Sequence, residues 1–338
     1  MGKAALRVAV VGAGDMGLRH LKGWASLEGV EVVALVDDVP ARLEEAGASL
    51  LKTPALYTDY RQAIEEARPD VVSVCVPTAF HGPVALYAIE RGAHVLCEKP
   101  IALSLEEADA MLEAAERKGV LLAVGFMLRY TAAIVRLKEW VSSGAIGKPI
   151  LYTSENFMEV RPKVLMHAKK VNGGPLLDYW CHHFDLWSYL FQSEPVSIAG
   201  YGTIFAQGKT EVEHLDELAV DTASLSIRYK SGDIAQLATT WGLPRSLASF
   251  GFSSDRLIGP EGLIFGDIRQ QLTLVNGAGR SEEISNSGLD WWATEIEAFA
   301  RTIREGGKPL VGAAQGRKAL QLSLAALEAI ESGRTVIF

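Results

Sequence analysis

Glycines near the start of the chain have the spacing of a nucleotide-binding turn. Gly12, Gly14 and Gly17 form a G-x-G-x-x-G pattern, with Asp15 and Met16 at its variable positions, directly after an apolar run. Such glycines permit a tight turn and let the backbone approach a pyrophosphate, while the helix that follows presents N–H groups to the phosphates. We therefore expect a dinucleotide to bind here, although a purely structural turn can also require glycines.

A carboxylate further along the chain narrows the choice of dinucleotide. Asp37 ends the next apolar run, twenty residues after Gly17, where it can accept hydrogen bonds from the hydroxyls of an adenosine ribose. Its negative charge and that of Asp38 would repel the 2′-phosphate of NADP. The sequence therefore favours NAD over NADP, with Arg42 as the nearby cation that could offset this preference.

Two further segments carry charged and titratable side chains. One is Glu98-Lys99-Pro100, and the other is a helix-like segment that contains Asp178, His182 and Asp185. At about 100° per residue, His182 and Asp185 would lie roughly 40° and −20° from Asp178, whereas His183 would lie about 140° away. The spacing thus selects His182 rather than His183 to share a face with the two carboxylates. Because adjacent histidines of a regular helix cannot both face one ion, no metal site is expected.

The pattern of apolar runs predicts the elements that hold these residues. A length of 338 residues favours two domains. Short β-branched runs alternate with helix-like stretches up to residue 124, which predicts a parallel sheet with crossover helices over residues 1–124. These runs cover 6–11, 30–36, 71–76, 93–97 and 120–124. Over residues 125–338, strand-like runs are followed by helix-like stretches, which predicts an α+β domain on a mostly antiparallel open sheet.

Composition and charge exclude several classes of protein. Acidic residues number 41 and basic residues 33, so the net charge of −8 disfavours nucleic acid and anionic membranes as partners. Apolar residues make up 49% of the chain and charged residues 22%, as in ordinary folded proteins. No apolar stretch reaches the ~20 residues of a membrane span, and the N-terminus lacks the pattern of a secretory signal. We therefore expect a cytoplasmic protein.

Taken together, these motifs resemble those of a known family. The glycine fingerprint, Glu98-Lys99-Pro100, Asp178 with His182, Pro77-Thr78-Ala79-Phe80-His81 and Ala145-Ile146-Gly147-Lys148-Pro149 resemble signatures of the glucose-fructose oxidoreductase, inositol dehydrogenase and rhizopine catabolism (Gfo/Idh/MocA) family. The resemblance covers nearly the whole chain. It implies an N-terminal Rossmann domain, a C-terminal α+β domain, and an NAD(P)-dependent dehydrogenase that acts on CH–OH groups of a sugar, sugar derivative or cyclic polyol. It also implies a homodimer or homotetramer.

The resemblance also implies roles for individual residues. His182 would be the general base that takes the hydroxyl proton, Asp178 would orient its imidazole, and Lys99 would hold the reacting oxygen. Further cofactor contacts would come from Pro77, Thr78, His81, Glu98 and Lys99. Substrate contacts would come from Lys99, Arg129, Asp185 and Trp241, although Asp185 could equally make a helix–helix hydrogen bond. A cis peptide bond is expected before Pro100.

The chain departs from the family pattern at two places. Gly125-Phe126-Met127-Leu128-Arg129 keeps only the second of two adjacent arginines, and Glu155-Asn156-Phe157-Met158 stands where inositol dehydrogenases tend to carry His-Arg-Asn. The second departure argues against inositol as the substrate. Two other functions fit the same motifs, a dinucleotide-binding sugar sensor without activity and an NAD-dependent glycosidase. Retention of Lys99, Asp178 and His182 favours an enzyme over a sensor.

Overall fold

The computed structural model describes residues 5–288 and 290–338, which form two compact units. The first unit contains residues up to Met127 together with Asp290–Leu320, and the second contains Leu128–Leu289 and Gln321–Phe338. The division at Met127 lies three residues after the boundary expected from the sequence. Asp290–Leu320, which the sequence analysis places in the second domain, is part of the first unit instead.

The first unit is a doubly wound α/β fold. Its strands and helices alternate as β1 (Leu6–Val11), α1 (Asp15–Ala25), β2 (Val30–Val36), α2 (Pro40–Ala48), β3 (Ala55–Tyr57), α3 (Tyr60–Ala67), β4 (Val71–Val74), α4 (His81–Glu90), β5 (His94–Cys97), α5 (Leu105–Lys118) and β6 (Leu122–Val124). All strand pairs are parallel, in the order β3-β2-β1-β4-β5-β6. The order reverses between β1 and β4, and such sheets bind ligands beyond the carboxyl ends of the strands at that point.

A helix from late in the chain completes this unit. The second unit's elements intervene in sequence before α9 (Trp291–Glu305), which packs on α1 through Ile296 and Phe299 in a buried cluster with Leu21 and Trp24. A Cβ at Gly23 would lie 2.6 Å from the Ile296 side chain, so this glycine allows the two helices to approach closely. The last helix, α10 (Ala313–Ser332), crosses the division at Leu320. Packing of α9 on α1 explains why residues 290–320 belong to the first unit.

The second unit is an α+β fold built on a nine-stranded sheet. Its elements are α6 (Ala132–Ser142), β7 (Leu151–Glu159), α7 (Pro175–Asp178), α8 (Cys181–Phe191), β8 (Pro195–Thr203), β9 (Thr222–Tyr229), β10 (Ile234–Leu243), β11 (Phe252–Gly259), β12 (Gly262–Asp267), β13 (Gln271–Asn276), β14 (Ser281–Ser285) and β15 (Val336–Ile337). The strand order is β14-β13-β12-β11-β7-β10-β9-β8-β15, and only the pair of β7 and β10 is parallel. This confirms the mostly antiparallel sheet expected from the sequence.

Alternating burial along the strands gives this sheet two different faces. Every second residue of β9 is buried, as in a sheet that covers a core with one face. The buried aromatic side chains of α8, Phe184 and Trp187, belong to that core. Large apolar side chains such as Tyr201 and Phe250 remain exposed. Within residues 5–288 and 290–338, no helix is long and apolar enough to span a membrane.

Candidate active site

The glycine turn lies between β1 and α1, and its geometry explains the three glycines. Gly12 has a φ of +101°, and a Cβ there would lie 2.6 Å from the backbone oxygen of Cys75. A Cβ at Gly17 would lie 1.7 Å from the Gly12 oxygen. Gly14 precedes α1 and has open space around the place of a Cβ. The turn therefore leaves the start of α1 accessible to a ligand, and this arrangement fits the pyrophosphate of a dinucleotide.

The Asp37 carboxylate follows β2 and is only 7% exposed. Its Oδ2 accepts a hydrogen bond from the Ala13 backbone N–H at 2.7 Å, and its Oδ1 accepts one from the Val39 N–H at 2.9 Å. The guanidinium of Arg42, 57% exposed, lies 3.6 Å from Oδ1. Asp37 thus connects the glycine turn to the end of β2. Arg42, the cation that could offset its preference for NAD over NADP, lies directly beside its carboxylate.

The other expected cofactor residues lie at neighbouring ends of the same elements. Asp15 and Met16 begin α1, Pro77 and Thr78 follow β4, His81 begins α4, and Glu98 and Lys99 follow β5. The ring nitrogens of His81 lie 2.8 Å from the Pro100 oxygen and 2.9 Å from the Val76 oxygen, and burial lowers the pKa of this histidine. His81 therefore joins the segments that follow β4 and β5. The Lys99–Pro100 peptide bond is cis, as expected.

A buried polar network beside this site was missed in the sequence analysis. His20, on α1, places Nε2 3.0 Å from Oε1 of Glu98 and Nδ1 2.6 Å from Oγ of Ser73. The Trp24 indole N–H donates to the same Oγ at 3.1 Å. The second carboxylate oxygen of Glu98 accepts the backbone N–H of Lys99 at 3.1 Å. The signal in the sequence was a histidine at helical spacing from Gly17 and Trp24, on the face of α1 that is buried.

His20 and Glu98 each favour the charged form of the other. Burial opposes the charged imidazole, but the neighbouring Cys75 sulfur and the Glu98 carboxylate outweigh it and raise the pKa of His20 to about 10. Burial likewise favours the neutral Glu98 carboxyl, yet its hydrogen bond and attraction to His20 hold the pKa of Glu98 below its ordinary value. The Nε2–H of His20 therefore donates to the Glu98 carboxylate.

In the second unit, the segment with Asp178 and His182 is not one regular helix. Asp178 ends α7 and His182 lies in the first turn of α8, with a turn at Tyr179 and Trp180 between them. The Trp180 N–H donates to the oxygen of Pro175, five residues back, and the His182 N–H donates to Tyr179 at 3.2 Å. The expectation of a regular helix from 178 to 185 was wrong, because this wider turn changes the 100° step.

His183 is held by the sheet. Its Nε2 lies 3.2 Å from the Ser154 hydroxyl and 3.4 Å from Oδ1 of Asp255, which also accepts the Tyr152 hydroxyl at 3.0 Å. Burial raises the pKa of Asp255, but the hydrogen bond and charge of His183 hold it below its ordinary value. This network joins α8 to β7 and β11, so His183 has a structural position distinct from that of His182.

Arg129 and Asp185, two expected substrate residues, pair with each other. The Arg129 Nε lies 2.7 Å from Oδ2 of Asp185 and its Nη2 lies 2.6 Å from Oδ1. Their side chains are only 7% and 2% exposed. Burial raises the pKa of Asp185, and Arg129 opposes that rise. Both carboxylate oxygens of Asp185 thus have a partner within the unit.

Trp241, the remaining expected substrate residue, is in the interior of the second unit. Its ring is 1% exposed, and its indole N–H donates to Oδ1 of Asn156 at 3.1 Å. It makes edge contacts with Tyr179 and His167 at centroid distances of 6.3 and 6.1 Å. These contacts leave no broad face of Trp241 exposed on which a sugar ring could stack.

Comparison with known proteins agrees with this arrangement. Residues 6–126 match the oxidoreductase profile described as the GFO/IDH/MocA NAD-binding Rossmann fold, and residues 134–262 match the GFO/IDH/MocA C-terminal domain. The chain is 30% identical to scyllo-inositol 2-dehydrogenase (NAD⁺) of Bacillus subtilis, over 98% of this chain and 96% of that one. It is 28% identical to myo-inositol 2-dehydrogenase of Thermotoga maritima, over 98% of each.

A solved structure shares the whole fold. Levoglucosan dehydrogenase in complex with NADH and levoglucosan superposes with a TM-score of 0.86 at 22% identity, over 98% of this chain and 99% of that one. At this identity the likeness extends to the fold alone.

Proposed function

The chain belongs to the Gfo/Idh/MocA oxidoreductase family, and from this premise we propose that it is an NAD-dependent dehydrogenase of a sugar, sugar derivative or cyclic polyol. It would transfer a hydride between nicotinamide and a hydroxyl-bearing carbon. The observation that carries the proposal is the position of Lys99 in the first unit. Lys99 follows β5 at the carboxyl edge of the sheet, the same edge at which the glycine turn follows β1.

NAD is the proposed cofactor, and the glycine turn and Asp37 would hold it. The turn can accept the pyrophosphate, and the Asp37 carboxylate can accept ribose hydroxyls, whereas a 2′-phosphate would meet its negative charge. When bound, NAD supplies the acceptor for the hydride. Arg42 pairs with Asp37, so part of its positive charge is already balanced by this carboxylate.

We propose that Lys99 and His182 act on the same hydroxyl group. The Lys99 ammonium would hold the oxygen and stabilise the negative charge that develops on it. The His182 imidazole would take the hydroxyl proton as the C–H bond releases its hydride, and Asp178 would orient that imidazole. The alcohol thus loses one hydride and one proton and becomes a carbonyl.

Two observations bear on the substrate class in opposite directions. Two relatives over the full length of the chain carry the names of inositol dehydrogenases. In this chain Asn156 stands within the segment where a His-Arg-Asn stretch would be expected, and its amide is used internally. It accepts from Trp241 at 3.1 Å and donates to Ser253 at 2.8 Å. We therefore propose sugars and their derivatives alongside cyclic polyols.

We also propose that the enzyme is a homodimer or homotetramer, in which a second copy covers the exposed face of the nine-stranded sheet. Tyr201 of β8 and Phe250, in the segment between β10 and β11, are 78% and 72% exposed. They line a depression of about 580 Å³ together with Phe157 and Phe252. Exposed apolar surface of this kind is typical of an interface between protein chains.

A substrate screen tests the proposed function. The purified protein is mixed with NAD and with a panel of aldoses, inositols, sugar acids and glycosides, and NADH formation is followed by absorbance. Formation of NADH with at least one unblocked sugar or polyol is the expected result. Cleavage of a glycoside without net NADH would indicate a glycosidase instead. Binding of NAD with no turnover of any compound would indicate a sensor.

A further inference from the structure

The Glu98 carboxylate bridges two parts of the first unit. One oxygen accepts from His20 on α1 at 3.0 Å, and the other accepts the backbone N–H of Lys99 at 3.1 Å. Glu98 is buried, so neither bond competes with bulk water. The carboxylate therefore connects the helix that follows the dinucleotide turn to the residue that would hold the reacting oxygen.

The surroundings fix this bridge in one geometry. A Cβ at Gly125 would lie 3.2 Å from the Glu98 carboxylate, so the glycine at the end of β6 leaves the room that the carboxylate occupies. On the other side, His20 is held by the Ser73 hydroxyl at 2.6 Å, which also accepts from Trp24. The imidazole and the Trp24 indole are fully buried. Partners on both sides thus prevent the His20–Glu98 pair from rotating.

Stability alone is a weak explanation for such a pair. A buried ion pair adds little net stability, because removing two charges from water costs about as much as their attraction returns. The partner of the second Glu98 oxygen is more informative, because that oxygen accepts the backbone N–H of Lys99. A displacement of about 1 Å at a reacting group can lower a rate roughly 100-fold.

We propose that His20 is a positioning residue, which acts through Glu98 to fix the backbone of Lys99 relative to α1 and the dinucleotide turn. The proposal rests on the function proposed above for Lys99. His20 itself touches neither substrate nor cofactor in this scheme. Its ring N–H orients the carboxylate, and the carboxylate orients the backbone of the lysine.

Three substitutions separate the parts of the bridge. His20→Leu removes the donor to Glu98, whereas His20→Gln keeps an N–H donor and should partly restore the effect. Glu98→Gln keeps the shape of the side chain but offers one acceptor oxygen to two N–H donors, so it can satisfy only one of them. His94→Gln is the matched control, because His94 begins β5 at the opposite end of the same strand and accepts from the Leu121 N–H at 2.9 Å.

The first readout does not require catalysis. Each protein is acetylated with limiting acetic anhydride, and the labelling rate of Lys99 relative to Lys118 is measured by mass spectrometry. We expect a several-fold change in this ratio for His20→Leu and Glu98→Gln, a smaller change for His20→Gln, and none for His94→Gln. If His20→Leu does not fold, the two glutamine variants still decide the question. An unchanged ratio in the folded variants would overturn the proposal.

The second readout uses a substrate identified by the screen. We expect His20→Leu and Glu98→Gln to lower kcat about 10- to 100-fold, and the Kd of NADH, measured by fluorescence, to stay nearly unchanged in His20→Leu, because His20 contacts no cofactor in this scheme. The double variant should lose no more than the worse single variant, because both act through one bridge. Equal loss of NADH binding and kcat would mean a purely structural role. If no substrate is turned over, the proposed function fails, and the labelling ratio still tests whether His20 positions Lys99.

Discussion

Replacing Asp37 by asparagine should shift the cofactor preference from NAD towards NADP. The substitution keeps the shape of the side chain and removes its charge. In the native chain the two carboxylate oxygens accept from the Ala13 and Val39 N–H groups at 2.7 and 2.9 Å. The asparagine oxygen can serve one of these donors, so the free energy of unfolding should fall by only about 1 kcal/mol.

The change in cofactor affinity should be larger than the change in stability. A hydrogen bond to a charged acceptor contributes about 1.5 to 3 kcal/mol, so the loss of the carboxylate should weaken NAD about 10- to 150-fold. NADP should bind more tightly, because Arg42 loses the carboxylate 3.6 Å away and can pair with a 2′-phosphate instead. The ion pair between Asp37 and Arg42 that the substitution removes is half exposed, and it contributes at most about 1 kcal/mol to the free energy of unfolding.

Titration calorimetry with NAD and NADP measures both affinities. Asp38→Asn is the matched control, since this neighbour is exposed and water screens its repulsion of a 2′-phosphate, so the ratio of the two Kd values should change far less than in Asp37→Asn. Adding Arg42→Ala to Asp37→Asn should remove the gain in NADP affinity. Tighter binding of NADP than NAD by the native protein, or the same Kd ratio in Asp37→Asn, would refute the reasoning.

Three other predictions follow from buried or exposed groups. The folded pKa of His20, about 10, lies above its ordinary 6.5, so its contribution to stability is complete below pH 6.5 and is lost as the pH rises towards 10. In urea unfolding, the stability gap between the native protein and His20→Leu should therefore narrow from pH 6.5 upwards, and a widening gap would contradict this. Asp185→Asn should lower the free energy of unfolding by about 3 to 5 kcal/mol, because it leaves Arg129 buried without its charge partner, whereas the exposed Glu139→Gln should cost under about 1 kcal/mol. Phe250→Asp should convert the proposed oligomer into monomers in size-exclusion chromatography with light scattering, and unchanged mass would exclude this face as the interface.

Local patterns predicted much of the fold. The apolar runs 6–11 and 30–36 became β1 and β2 with the expected bounds, because β-branched residues and burial on both faces favour parallel strands wherever the chain continues into a crossover helix. The position of α9 in the first unit could not be predicted from such local patterns. Its periodicity shows which face of the helix is apolar, but gives no information about which sheet or helix that face covers.

The candidate site was predictable where it depends on spacing within one segment. The positions of Gly12 and Gly17 after β1 and of Asp37 after β2 could be predicted from their spacing along the chain. The turn between α7 and α8 could not be predicted in this way, because the spacing from Asp178 to His182 also fits one regular helix. The bond between His20 and Glu98 joins residues 78 positions apart, and only the folded sheet brings them together.

The most direct test of the proposed chemistry compares Lys99→Ala and His182→Ala with the native protein on a substrate found by the screen. Steady-state NADH formation gives kcat, and NADH fluorescence gives cofactor affinity in the same preparations. We expect each variant to lose about 100-fold or more in kcat while NADH binding stays largely intact, because an electrostatic or acid-base contribution is removed. Native-like kcat in both variants would contradict the proposed mechanism.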